Sequence, residues 1–218
     1  MDHITKIYPN GFVANKDVTF AVNEGEIHSL VGENGAGKTT LMKILFGMED
    51  KQGGDIFIRE QKVKITSPLD AISKGVGMVH QHFMLLNSLT VAENVVLGIE
   101  PMKNGLFDFE EAVVMTQKIA DKYNFALDAR TRVKDLSVGQ MQKVEILKAL
   151  IKGARVLILD EPTAVLTPQE TEELFEQLLL LREDGHAIIF ISHKLEEVMR
   201  LCSRVTVLRH GYSQGTYD

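Results

Sequence analysis

Cysteine, membrane-length apolar runs and basic excess are all scarce in this chain of 218 residues. The one cysteine, Cys202, leaves no partner for an internal disulfide, so a reducing cytoplasm is the expected setting. The longest apolar runs, such as "HAIIFIS" and "RVLILD", are far too short to span a bilayer. The opening "MDHITKIYPNG" is polar and lacks the apolar core of a secretory signal. Any membrane role is therefore expected to come through a partner. Lys and Arg total 24 against 30 Asp and Glu, a net charge of −6 that argues against a dedicated nucleic-acid binder. No repeat or low-complexity stretch stands out. What remains is the composition of an ordinary soluble globular protein, 44% hydrophobic and 25% charged, long enough for one large domain or two small ones.

Strand and helix patterns alternate along most of the chain. "VTFAV" and "EIHSLVG" predict two strands, and residues 39–46 a helix. "GDIFIRE" and "KVKIT" predict a hairpin. Ser67-Pro68 predicts a helix start, with serine as N-cap and proline in the first position. "VGMVHQ" predicts another short strand. From about Phe83 the texture turns helical, over 90–97, 109–123 and 137–152, and Thr90 and Glu93 have capping-box spacing. Strands return at "RVLILD", "HAIIFIS" and "RVTVLRH". That order predicts an α/β fold: a mostly parallel sheet with helices on both faces, an antiparallel β layer near the N-terminus and an inserted helical part. One domain is expected over residues 1–218, its core made of 1–82 and 154–218 and its helical subdomain of 83–153.

The chemistry starts in "GENGAGKTT", residues Gly32, Glu33, Asn34, Gly35, Ala36, Gly37, Lys38, Thr39 and Thr40. The spacing Gly32-x4-Gly37-Lys38-Thr39 lies between an apolar strand and a helix, the context that a P-loop requires. Glycines let successive N–H groups turn toward a phosphate chain, and the helix N-terminus adds a favourable dipole. Lys38 is expected to reach the β- and γ-phosphates, and the Thr39 hydroxyl to ligate Mg²⁺. A nucleoside triphosphatase also needs an acid at the end of a buried strand. "RVLILDEP" supplies Asp160 for Mg²⁺ and Glu161 as general base toward the attacking water. Alone, "LILDE" reads equally well as a surface acid pair; after a P-loop it does not. "LSVGQ", residues Leu136, Ser137, Val138, Gly139 and Gln140, opens a helix. A simple N-cap and turn accounts for Ser137 but not for the whole pentapeptide.

The order "GENGAGKT", Gln81, "LSVGQ", "VLILDE", His193 resembles the ATP-binding cassette (ABC) ATPase family, and the match runs through nearly the whole chain. The resemblance implies a P-loop NTPase core with ATP and Mg²⁺ as cofactors. It makes Gln81 the glutamine that links Mg²⁺ and the γ-phosphate to the membrane part, and a metal ligand beside Thr39 and Asp160. It makes His193 a switch histidine at the γ-phosphate, and places Tyr8 against adenine. On their own, Gln81 and His193 read as polar strand-end residues and Tyr8 as a lone tyrosine. In this family two cassettes pair head to tail, so residues 136–140 are expected to complete a partner's ATP site. Two departures stand out. Val138 replaces the commonest glycine of the signature, and Thr167 replaces an aspartate that many members reach across the interface. Thr167-Pro168-Gln169-Glu170 is itself a capping box with proline at the first helical position.

The segments "VHQHFMLLNSLTVAENVVLG", "VEILKALIKGARVLILDEPTAVLTPQE" and "ISHKLEEV" are similar to ATPase subunits of prokaryotic importers for simple sugars and nucleosides. Such subunits resemble two cassettes fused in one longer chain, and this sequence is similar to the N-terminal cassette alone, with an abbreviated first strand. The resemblance implies ATP hydrolysis that powers solute import, cytoplasmic and peripheral on the inner face of the cell membrane. Its implied partners are a second cassette, transmembrane permease subunits and, indirectly, a solute-binding protein, with no nucleic acid. The other readings are a soluble ABC ATPase acting on ribosomes or DNA, for which basic inserts and coiled-coil arms are missing, and a regulatory ATP-binding cassette, against which Glu161 and His193 stand. Cys202 reads as a packed helix residue. His80 and His82, flanking Gln81, lack a third ligand for a metal site.

Overall fold

A computed structural model describes residues 1–218. The elements in chain order are β1 (Asp2–Ile7), β2 (Val13–Val18), β3 (Ile27–Val31), α1 (Lys38–Leu45), β4 (Gly53–Ile58), β5 (Gln61–Val63), α2 (Pro68–Ser73), β6 (Val76–Val79) and α3 (Val91–Val95). There follow β7 (Met102–Lys103), β8 (Leu106–Phe107), α4 (Phe109–Lys122), α5 (Val138–Ile151), β9 (Val156–Asp160) and α6 (Pro168–Glu183). The chain closes with β10 (Ala187–Ile191), α7 (Leu195–Leu201), β11 (Arg204–Arg209) and β12 (Tyr212–Tyr217).

The main sheet has six strands in the order β12-β11-β3-β10-β9-β6. Strands β11, β3, β10, β9 and β6 run parallel, and β12 closes one edge antiparallel to β11. Its central strands are largely apolar because both faces are covered; the buried exceptions on β3, His28 and Ser29, bond the Thr206 hydroxyl and the Phe190 carbonyl. On β9, Leu157 and Leu159 enter one core with α5 and α6, while Ile158 enters the other with α1. On β10, Ile188 and Phe190 alternate in the same way with Ile189 and Ile191. The second core also takes in Ile4, Val18 and Ile56 from an antiparallel sheet ordered β2-β1-β4-β5. Between β6 and β9 the chain adds no strand to the main sheet; it forms α3, the β7-β8 hairpin, α4 and α5.

Most of the expected elements are found, with differences at the N-terminal layer. "VTFAV" is not a strand beyond Val18; the strand is "VANKDV". Asp17, with φ 57, bends the chain there, and Phe20 is buried from a non-strand position. Burial alone made "VTFAV" look like a strand, whereas pairing with β1 selects the more polar preceding segment. The first strand spans six residues, Asp2–Ile7. The hairpin β7-β8 and edge strand β12 carry too little apolar alternation to be read from sequence. The expected N-caps are in place: Ser67 caps α2, and Thr90, Ser137 and Thr167 each form a full capping box. No helix is long and apolar enough to cross a membrane.

Candidate active site

Strands β3, β10, β9 and β6 are neighbours and parallel, so their C-terminal ends share one edge of the sheet. The loop after β3 is the P-loop, Glu161 follows β9, His193 lies two residues past β10 and Gln81 two past β6. Gln81, Glu161 and His193, which lie 32 to 112 positions apart in sequence, are thereby delivered with the P-loop to one edge outside the carboxyl ends of the strands, where open α/β sheets bind ligands.

The P-loop wraps the start of α1. Gly37 is the N-cap at φ 102, and α1 begins without a side-chain cap, unlike α2 through α6. Gly37 cannot be replaced without a shift: an added Cβ would lie 2.2 Å from the Ala14 carbonyl and 2.6 Å from the Asn15 amide nitrogen. Asn15 Nδ2 in turn donates to the Gly37 carbonyl at 3.2 Å, a support that no sequence signal announced. Lys38 is almost buried, and its Nζ donates to the carbonyls of Gly32 at 2.7 Å and Glu33 at 3.0 Å. Its ammonium is thus held inside the loop that it opens toward. Burial pushes the Lys38 pKa down, and the nearby Glu161 and Asp160 carboxylates push it back up. Asp160 is 8% exposed, and burial pushes its carboxyl up while the Thr39 hydroxyl pulls it partly back.

Glu161 gathers the rest of the cluster. Its backbone stands at φ 49, pinned by its N–H donating to the Ile191 carbonyl at 3.0 Å. Gln81 Nε2 donates to Glu161 Oε2 at 3.3 Å, and His193 Nδ1 lies 3.2 Å from Glu161 Oε1. The carboxylate is therefore aimed by two exposed side chains from neighbouring strand ends. A left-handed backbone at a non-glycine residue costs about 1–2 kcal/mol, and such strain collects at functional sites.

The signature residues lie elsewhere. No hydrogen bond joins Ser137, Val138 or Gly139 to the P-loop; Ser137 and Gly139 both bond Glu170 at the start of α6. Leu136 packs on the main core, Val138 is exposed, and Gln140 returns a bond to the Ser137 N–H at 2.9 Å. Tyr8 directly follows β1, stacks on Phe12 with centroids 6.3 Å apart and donates to Glu49 at 3.4 Å. It makes no hydrogen bond to the P-loop. His80 packs edge-on to Phe46. Sequence reasoning also missed Glu145 and Lys148 of α5. The Met84 N–H donates to Glu145 at 2.5 Å and Lys148 donates to the Met84 carbonyl at 2.8 Å, tying the segment after Gln81 to the helix that begins at the signature.

Three comparisons bear on this arrangement. The family model for "ABC transporter" matches residues 15–164. The guanosine import ATP-binding protein NupO of Bacillus subtilis (strain 168) is 50% identical over 218 residues, covering 100% of this chain and 42% of that protein. The glucose import ATP-binding protein TsgD13 of Haloferax volcanii is 48% identical, covering 99% of this chain and 44% of that protein. The chain thus spans less than half the length of these curated relatives. Among solved structures, the ADP conformation of MJ1267, an ATP-binding cassette of an ABC transporter, superposes with a TM-score of 0.87 at 25% identity, covering 99% of this chain and 88% of that one. The dimeric post-hydrolysis state of the cassette MJ0796, bound to ADP and Pi, superposes at 0.82 with 26% identity, covering 100% and 97%. A family match over more than half of the chain, on a fold that superposes end to end with solved cassettes, makes the chain a member of the ABC transporter family.

Proposed function

We propose that this chain is an ATP-hydrolysing cassette that powers import of a small solute, a nucleoside or simple sugar, through partner permeases. One observation carries the reading: Gln81 and His193 converge on Glu161 beside a P-loop whose lysine is buried. Lys38 exchanges the Gly32 and Glu33 carbonyls for the β- and γ-phosphate oxygens of ATP. The N–H groups at the uncapped start of α1 receive the phosphates. Residues 32–40 form the cradle, and Tyr8 offers its ring to the adenine.

The donors near Lys38 suit Mg²⁺: a hydroxyl from Thr39, an amide oxygen from Gln81 and a carboxylate from Asp160 are all hard oxygen ligands. Asp160 is buried, and burial pushes its carboxyl up, so a cation beside it would favour its charged form. A Mg²⁺ ion held by these residues would supply neutralisation of negative charge on the phosphates. Glu161 accepts the proton of the attacking water, and Gln81 and His193 fix the direction of its carboxylate. Catalysis is then mostly positioning and charge stabilisation.

The second cassette is the remainder of a longer chain; the relatives' greater length supports this. Its P-loop is completed by this chain's residues 136–140. The helical subdomain 83–153 and the Gln81 segment face the permease subunits, which receive solute from a binding protein, at the inner face of the cell membrane. The names of the guanosine and glucose import relatives support a nucleoside or sugar. The net charge of −6 supports the absence of nucleic acid.

Glu161→Gln tests the chemistry. It keeps the size of the side chain and the backbone strain of the parent. ATP binding is expected to be unchanged and hydrolysis about 10²- to 10⁴-fold slower, the usual loss for one general base. Turnover equal to the parent's would assign the base to another group.

A further inference from the structure

Glu170 stands in the first turn of α6, and its one carboxylate accepts four hydrogen bonds. Oε2 accepts from the Thr167 N–H and hydroxyl, both at 3.0 Å. Oε1 accepts from the Ser137 hydroxyl at 3.0 Å and the Gly139 N–H at 3.1 Å. The carboxylate therefore sits between the N-termini of α5 and α6, where two helix dipoles favour negative charge. The Thr167 N–H above all holds its pKa below the usual carboxylate range. A Cβ added at Gly139 would lie 2.6 Å from Glu170 Oε1, so a larger residue there would displace the Glu170 side chain from this position.

The two donors on Oε1 are the ones that cassette pairing would offer to a phosphate. The Ser137 hydroxyl oxygen already accepts from the Gln140 N–H at 3.2 Å, so its single proton is committed to Glu170. Gly139 has one N–H, and it is committed as well. A phosphate oxygen cannot take these hydrogens while a carboxylate oxygen holds them, because two anions about 3 Å apart repel strongly.

We propose that Glu170 is an internal anion that fills the signature's phosphate position in the unpaired chain, and that it must release Ser137 and Gly139 before a partner's ATP can bind there. The proposal rests on the paired-cassette reading. Thr167 keeps the carboxylate on α6 after release, so the side chain swings rather than leaves. Glu170 is thus a positioning residue. It couples occupation of the signature to the 161–167 segment, which runs from the general base to the start of α6.

The test uses the Glu161→Gln chain, which holds ATP unhydrolysed, and follows dimer formation by sedimentation against Mg·ATP concentration. Glu170→Gln carries no charge, and its single acceptor oxygen can serve Thr167 or the signature but not both. The Mg·ATP concentration for half-maximal dimer is expected to fall about tenfold or more, the worth of one charge-assisted hydrogen bond. Glu170→Asp keeps the charge and can still cap α6, but is one methylene short of Ser137; a smaller shift in the same direction is expected. A purely structural Glu170 predicts weaker dimers for both variants. Melting curves establish that each variant is folded, and if Glu170→Gln unfolds, Glu170→Asp carries the test.

Ser137→Ala separates the two ideas, since pairing requires it to weaken the dimer whatever Glu170 does. If Ser137→Ala changes nothing, pairing through the signature fails. If Ser137→Ala weakens the dimer while the Glu170 variants leave it equal or weaker, the gate is overturned and pairing stands. If no variant dimerises at any Mg·ATP concentration, pairing between two copies fails and the gate with it.

Discussion

Replacing Lys38 by alanine removes the only full positive charge that the P-loop contributes. In the structure Nζ makes two hydrogen bonds to loop carbonyls, at 2.7 and 3.0 Å, from a side chain that is 6% exposed. On the proposed reading, ATP binding exchanges these for two charge-assisted bonds to phosphate oxygens. Each is worth about 1.5–3 kcal/mol, so their gross loss is about 3–6 kcal/mol. Releasing the Gly32 and Glu33 carbonyls offsets part of this in the parent. The net expectation is a loss of about 3 kcal/mol, or roughly 10²-fold in affinity for Mg·ATP. On the proposed reading the ammonium reaches both β- and γ-oxygens, so ADP is expected to lose less than ATP. Calorimetric titration of folded Lys38→Ala with both nucleotides measures this, and Lys38→Met controls for the missing alkyl stem. An unchanged ATP affinity, or an equal loss for ADP and ATP, would refute the reasoning.

Two other expectations concern groups away from the nucleotide. Asp184 receives bonds from Lys122 at 2.8 Å and the Tyr123 hydroxyl at 2.7 Å, with Lys122 chiefly holding its carboxyl down to about 2. A depressed carboxylate stabilises the fold above its ordinary value of 3.8 and stops doing so as pH falls through about 2. The group is about a third exposed, so the contribution is on the order of 1 kcal/mol after solvent screening. Asp184→Asn is expected to lower Tm by about 2–4 °C at neutral pH, with the gap closing between pH 4 and pH 2 in melts of both proteins; a gap independent of pH would contradict it. Cys202, just past α7 and packed against the main core, has its thiol pushed up to about 12 by burial. Iodoacetamide is expected to label it slowly at pH 8 in the native protein and quickly in denaturant, as mass spectrometry would record; rapid native labelling would show that the thiol is open.

Local chemistry determined a good deal of this protein by sequence alone. The P-loop is legible because its residues are contiguous and each has a steric or electrostatic reason. The caps at Ser67, Thr90, Ser137 and Thr167 are legible because a cap and its partner lie within one turn. Strands β9 and β10 are legible because strands buried on both faces must be apolar throughout. Gln81 and His193 were readable only through resemblance, since a lone polar residue after a strand has no local reason to be functional. Tertiary structure decided the rest. The strand order, not any spacing, brings residues 81, 161 and 193 to one carboxylate. Pairing with β1, not hydrophobicity, placed β2 at "VANKDV". The bond from Ser137 to Glu170 spans 33 residues and depends on how α5 packs against α6. A sequence records which groups can bond nearby; which distant groups meet is settled only when the sheet and its covering helices are assembled, because burying both faces of the sheet fixes where every strand end must lie.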